Sequence, residues 1–150
     1  HSQRPSELRY GVIHRGRFRY RCYNDVLEGE EEAADSGSES IWEILAENIC
    51  RWRESGETSL VFVKSRRESR RVAEQLAQRL QGEAALEAID SLRQLEATRS
   101  RDSLIETLSE GVGFHNADLS PEERQVVETA FRDGELPVLV STATLAKGLN

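Results

Sequence analysis

A chain of 150 residues, 37% hydrophobic and 31% charged, is long enough to bury a core of its own without disulfides or a metal. No apolar run approaches the roughly 18 residues that a membrane span needs, and no secretory h-region opens the sequence. Cys22 and Cys50 show no metal-ligand or C-x-x-C spacing, which predicts reduced thiols in a cytoplasmic protein rather than a disulfide-framed secreted domain.

The formal net charge of −7 argues against a polyanionic partner, since phosphate binding usually rests on surplus Lys and Arg. The charge is unevenly spread, however. Asp25, Glu28, Glu30, Glu31, Glu32, Asp35 and Glu39 occur together with no Lys or Arg among them; taking those seven from the 27 acids leaves 20, against 20 Lys and Arg. Outside one acidic stretch the chain is neutral, so local loops decide what it binds.

In chain order, residues 1–24 read as an N-terminal β-hairpin. Leu8, Tyr10 and Val12 alternate before a turn at His14, Arg15 and Gly16, after which Phe18, Tyr20 and Cys22 interleave with Arg17, Arg19 and Arg21. The arginines either blunt a solvated edge strand or contact phosphate or a neighbouring lobe. Residues 25–40, acidic and rich in Gly and Ser, have little apolar surface to bury and are predicted to form a mobile loop.

From residue 41 to 150, apolar strands alternate with amphipathic helices. Ser40 and Glu43 have capping-box spacing ahead of a helix whose core face is Ile41, Ile44, Leu45, Ile49 and Trp52, stopped by Ser55 and Gly56. Leu60, Val61, Phe62 and Val63 form an uninterrupted run, suited to a strand buried on both faces. Ser65 and Glu68 repeat the capping box for a helix with Val72, Ala73, Leu76, Ala77 and Leu80 inside and Gly82 at its end. Residues 83–109 read as two helices broken near 98–102, with Leu86, Ile89, Leu92 and Leu95 in the first core face and Leu104, Ile105 and Leu108 in the second. A strand at 112–114 follows, then a third capping box, Ser120 with Glu123, with Pro121 at the first helical position. Val126, Val127, Ala130 and Phe131 face the core, Asp133 and Gly134 close the helix, and Pro137 opens a last strand of Val138, Leu139 and Val140. The order β, α, α, α, β, α, β predicts an α/β fold of parallel strands joined by helical crossovers.

In an open parallel sheet, ligands bind beyond the carboxyl ends of the strands, where loops diverge and helix N-termini present unpaired amides. This selects the loops at 64–67, 115–118 and 141–144, which offer hydroxyls, an amide, an imidazole and cations suited to anionic oxygens. His115 alone reads equally as a satisfied hydrogen-bonding group, and Ser65 and Ser120 are already explained as caps. No nucleophile, base and orienting acid come together there, so no catalytic residue is assigned.

LVFVKSRRES at 60–69, GVGFHNADLSPEER at 111–124 and VLVSTATLAKGLN at 138–150 resemble, in order and spacing, three motifs of the second RecA-like lobe of superfamily 2 helicases, in the Ski2-like and Hel308-like branch. RPSELRYGVIHRGRF near the start resembles that branch's entry into the lobe. The resemblance implies a RecA-like, P-loop NTPase-type parallel sheet with flanking helices, an incomplete lobe ending before the family's arginine-rich motif. By position it places Ser65, Arg66, Arg67, His115, Asn116, Thr142 and Thr144 on the backbone of single-stranded DNA or RNA, and Gly148 and Asn150 on the nucleotide. The family's loop usually reads HHAGL where this chain has HNADL, so strand contact at Asn116 and Asp118 departs from the pattern.

The sequence has no G-x-x-x-x-G-K-S/T loop and no acidic pair after one to hold Mg²⁺. ATP and Mg²⁺ are therefore implied for a parent enzyme whose first RecA-like lobe completes the site, and the chain alone is expected to show no ATPase activity. The alternative is a non-catalytic RecA-like module that docks nucleic acid or protein.

Overall fold

The computed structural model describes residues 9–14, 17–22 and 28–32 by their backbone, and then residues 41–143 and 145. The chain divides into two compact units, residues 1–48 and 49–150.

In the first unit, β1 (Arg9–His14), β2 (Arg17–Cys22) and β3 (Glu28–Glu32) form an antiparallel sheet in that order. The hairpin of β1 and β2 is the one the alternation predicts. β3 is a correction, because it falls in the stretch expected to be a mobile loop. Its backbone register pairs Arg17, Arg19 and Arg21 of β2 with Glu32, Glu30 and Glu28. β2 is thus the central strand of the three and not an edge strand. Helix α1 (Ile41–Glu54) crosses the division between the units and stops at Gly56 as expected, while its anticipated cap, Ser40, lies outside the described residues.

The second unit is an α/β fold around a parallel sheet ordered β4 (Ser59–Phe62), β6 (Val138–Ser141) and β5 (Val112–His115). Every residue of β5 and β6 is buried. β4 and β5 are the two edge strands, but helices pack on β5 whereas the main neighbour of β4 is β6, and Phe62 is 62% exposed, so the expectation of burial on both faces is corrected there. Four helices flank this sheet: α2 (Arg66–Leu80) packs on β5 and β6, α3 (Leu86–Arg93) on α4 (Arg99–Leu108) and α5 (Pro121–Arg132), and α4 and α5 on β5. Ala73, Leu76 and Leu80 of α2, Leu104 and Leu108 of α4, and Phe114 and Leu139 of the sheet are all buried in the core. Gly113 lets this packing close, since a Cβ there would come within 2.7 Å of Leu136 Cδ2.

The helix ends show which local signals hold. Ser65 accepts from the Glu68 amide, and Ser120 and Glu123 complete a reciprocal capping box with Pro121 at the first helical position. Glu123 is buried, and its second oxygen accepts from Thr98 Oγ1 at 2.9 Å. Thr98 is itself the N-cap of α4, accepting from the Arg101 amide, so two helix starts share one hydrogen-bonded chain. α3 has no cap of its own. The Glu135 carboxylate supplies one from 47–48 residues away, accepting from the Glu87 and Ala88 amides at 2.9 and 3.0 Å, and its negative charge suits that end of a helix. Leu86, expected inside, is exposed. At the end of α2 the left-handed residue is Gln81 (φ 44°), not glycine. Gly82 is needed next door for close approach, because a Cβ there would meet Glu110 O at 2.8 Å.

Candidate nucleic-acid interface

Register fixes where the three predicted loops lie. Phe62 and His115 both pair with Ser141, on opposite sides of β6, so all three strands end at one level. The pairing continues one residue further, with the Val63 amide donating to Ser141 O at 2.9 Å and the Thr142 amide to His115 O at 3.1 Å. The loops at 64–67, 115–118 and 141–143 therefore leave from one rim, as the parallel order predicts.

The middle of that rim is closed to solvent. His115 is 1% exposed, and its Nε2 lies 2.8 Å from Glu128 Oε1, the geometry of an N–H donated to a carboxylate. Burial lowers the imidazole pKa below its ordinary value; Glu128 opposes that shift and Arg124 adds to it. Asn116, also buried, donates to Ser69 Oγ at 3.0 Å and Arg66 O at 3.3 Å, while its Oδ1 accepts from the Asp118 amide at 2.9 Å. Thr142 is buried, and Ser141 Oγ lies 2.7 Å from Thr142 O. Thr144, Gly148 and Asn150 lie outside the described residues.

The flank of the rim at the start of α2 is open. Lys64, Ser65, Arg66 and Arg67 are all exposed. Arg66 Nη1 is bonded to Asp118 Oδ1 at 2.9 Å, with both side chains more than half exposed. One turn on, Arg70 Nε is bonded to Glu74 Oε1 at the same distance. Ser65 spends its oxygen on the cap of α2, although its hydroxyl proton remains a donor. Among the described residues no group of three or more His, Cys, Asp or Glu is placed to hold a metal ion.

The helicase conserved C-terminal domain family matches residues 94–150, which contain the second and third loops. Almost the whole chain aligns with proteins named ATP-dependent DNA helicase Hel308. The Pyrococcus horikoshii protein is 32% identical over 98% of this chain and 19% of its own length. That of Caldivirga maquilingensis is 34% identical over 98% and 19%, and that of Thermoplasma volcanium 33% over 99% and 19%. The chain is thus similar over almost its whole length to Hel308 helicases, and its residues 94–150 to the helicase C-terminal lobe. It spans about a fifth of the length of those relatives.

Within the chain, the two residues that depart from the family's HHAGL pattern, Asn116 and Asp118, tie the second loop to the first. Asn116 grips the backbone and Ser69 at the start of α2, and Asp118 holds the Arg66 guanidinium. Spacing alone could not reveal this, since 47 to 52 residues separate the partners. Sequence reasoning also missed Glu128 as the partner of His115, a contact across 13 residues between β5 and α5. The seven residues carried over to the strand thus divide. Ser65, Arg66 and Arg67 face solvent; the side chains of His115, Asn116 and Thr142 are buried; Thr144 lies outside the described residues.

Proposed function

We propose that this lobe grips the phosphate backbone of one DNA strand and, with a first RecA-like lobe of the same parent chain, completes the ATP site of a helicase. The observation that carries the reading is the common rim. Three strand-end loops in register bring Ser65, Arg66 and Arg67 beside the His115 and Thr142 loops. Hydroxyls and a few guanidinium groups suffice for such a grip, because backbone contacts position a strand without reading bases. The relatives' name favours DNA over RNA.

The rim has a division of labour in this reading. Ser65, Arg66 and Arg67 touch the strand, and the buried Thr142 holds the third loop beside it; Thr144, which the resemblance also carries to the strand, lies outside the described residues. His115 and Asn116 act at one remove, His115 fixing the second loop to Glu128 of α5 and Asn116 fixing it to the start of α2. ATP supplies the energy for closure of the two lobes on the strand. The residues carried over to the nucleotide, Gly148 and Asn150, lie outside the described residues, and the chain's own contribution here is strand contact.

The test uses a fluorescent single-stranded oligonucleotide. The chain binds it with an affinity that falls steeply with salt, and Arg66→Ala with Arg67→Ala weakens it at every base composition. The isolated chain hydrolyses no ATP, with or without DNA. Nucleic-acid-stimulated hydrolysis by these 150 residues alone, or binding that ignores salt and both arginines, overturns the reading. A non-catalytic docking module remains the second reading, and the presence of a phosphate-binding loop upstream in the parent gene separates the two.

A further inference from the structure

The start of α2 carries more positive charge than the strand-end loop itself. Arg66, Arg67, Arg70 and Arg71 line an open cavity of about 590 Å³ together with Glu74 and Asp118. Residues four apart on a helix are neighbours on one face, so these arginines make two parallel ladders, 66–70 and 67–71. The first ladder is internally neutralised, Arg66 by Asp118 and Arg70 by Glu74, each at 2.9 Å. In the second, Arg67 and Arg71 are exposed and have no hydrogen-bond or ion-pair partner among the described residues. The cavity thus holds four guanidiniums against two carboxylates, both already engaged.

Structural needs do not account for the second ladder. Arg79, on the last turn, suits the negative end of the helix, but Arg67 lies in the first turn, where a cation is disfavoured, and Arg71 lies one turn on, where neither helix end calls for one. Two uncompensated guanidiniums a turn apart on the wall of a concave surface offer paired N–H forks to phosphate oxygens.

We propose that Arg67 and Arg71 form a phosphate track along the first two turns of α2, which carries a nucleic-acid backbone outward from the strand-end loops. The proposal rests on the strand-binding reading above and extends it to Arg71 and to the two acids. Asp118 and Glu74 partly neutralise Arg66 and Arg70, so beyond its contact with Arg66 at the loop the backbone follows the 67–71 ladder. These acids also set how tightly the rim binds, because freeing either arginine adds a cation to the same cavity.

The experiment measures binding of a single-stranded oligothymidylate to the full chain across a range of salt concentrations. Arg71→Ala is expected to weaken binding about three- to tenfold and to reduce the salt slope by about 0.7, the share of one single-strand phosphate. Arg71→Lys keeps most of the affinity, and Asp118→Asn and Glu74→Gln tighten binding. Alanine is the best helix former, so Arg71→Ala leaves the melting transition in place, and Arg93→Ala, on another helix, controls for net charge. If oligothymidylate binds and Arg66→Ala weakens it while Arg71→Ala leaves affinity and slope unchanged, the track is wrong and the strand-binding reading stands. If the wild-type chain does not bind at all, both fall. Equal, Arg71-dependent binding to polyglutamate assigns the cavity to an acidic protein surface and overturns the nucleic-acid track. Competition by inorganic phosphate at concentrations that leave chloride-matched controls bound makes it a free-phosphate site, with the same consequence.

Discussion

The two halves of the rim are built on opposite principles. At its centre, His115, Asn116, Ser141 and Thr142 are buried, and no buried side-chain nitrogen or oxygen among the described residues lacks a partner. On its flank, the arginines of α2 are exposed and partly uncompensated. Polar residues at strand ends, taken alone, look alike in a sequence. Burial separates them into groups that hold the loops still and groups left to meet a ligand.

The comparison breaks most readily at its buried half. Replacing His115 with Ala removes a packed ring and strands the Glu128 carboxylate, and should cost on the order of 3 kcal/mol in denaturant unfolding. The same residue gives the fold a pH signature. Its folded pKa lies below the ordinary 6.5, so the unfolded chain takes up the proton first. This contribution is full above about pH 6.5 and is lost as pH falls from there towards the folded pKa. His115→Gln should flatten that part of the stability curve; an unchanged slope would assign it to other groups.

Asn116→Ala comes next, leaving Ser69 Oγ and the Asp118 amide without their partner at a cost of about 1–3 kcal/mol. Its effect on oligonucleotide affinity should follow from loosening of the loop, so a stabilising second-site change elsewhere restores binding. Loss of binding with stability intact would make Asn116 a direct contact and dissolve the division drawn above. On the flank the signs reverse. Arg67→Ala should change stability by less than about 0.5 kcal/mol while lowering strand affinity about three- to tenfold. The smallest stability effect belongs to the Arg66–Asp118 pair, both members more than half exposed. Asp118→Asn should shift unfolding by no more than about 1 kcal/mol, with its larger consequence read in strand binding.

Much of this was legible in the residues. Capping signals are local, and Ser65, Ser120, Glu123 and Pro121 do what their spacing predicts. The continuous apolar runs at 112–114 and 138–140 gave parallel buried strands because nothing polar interrupts either face. The same logic failed at Phe62, since a run of apolar residues does not say which of the two edge strands the helices will cover. It failed again at Glu28–Glu32, where an acidic stretch pairs its backbone with β2, a partner its own composition does not announce. At the site, the loops could be chosen from strand order, but which side chains turn inward depended on partners 13 to 50 residues away.

The borrowed cap of α3 has a kinetic consequence. The Glu87 and Ala88 amides are held by a side chain that follows α5, not by their own helix. In hydrogen exchange they should behave as reporters for a distant turn, exchanging whenever the segment at Glu135 swings away even while α3 stays wound. Glu135→Gln retains one acceptor and should expose one amide more than the other, whereas Glu135→Ala should release both together.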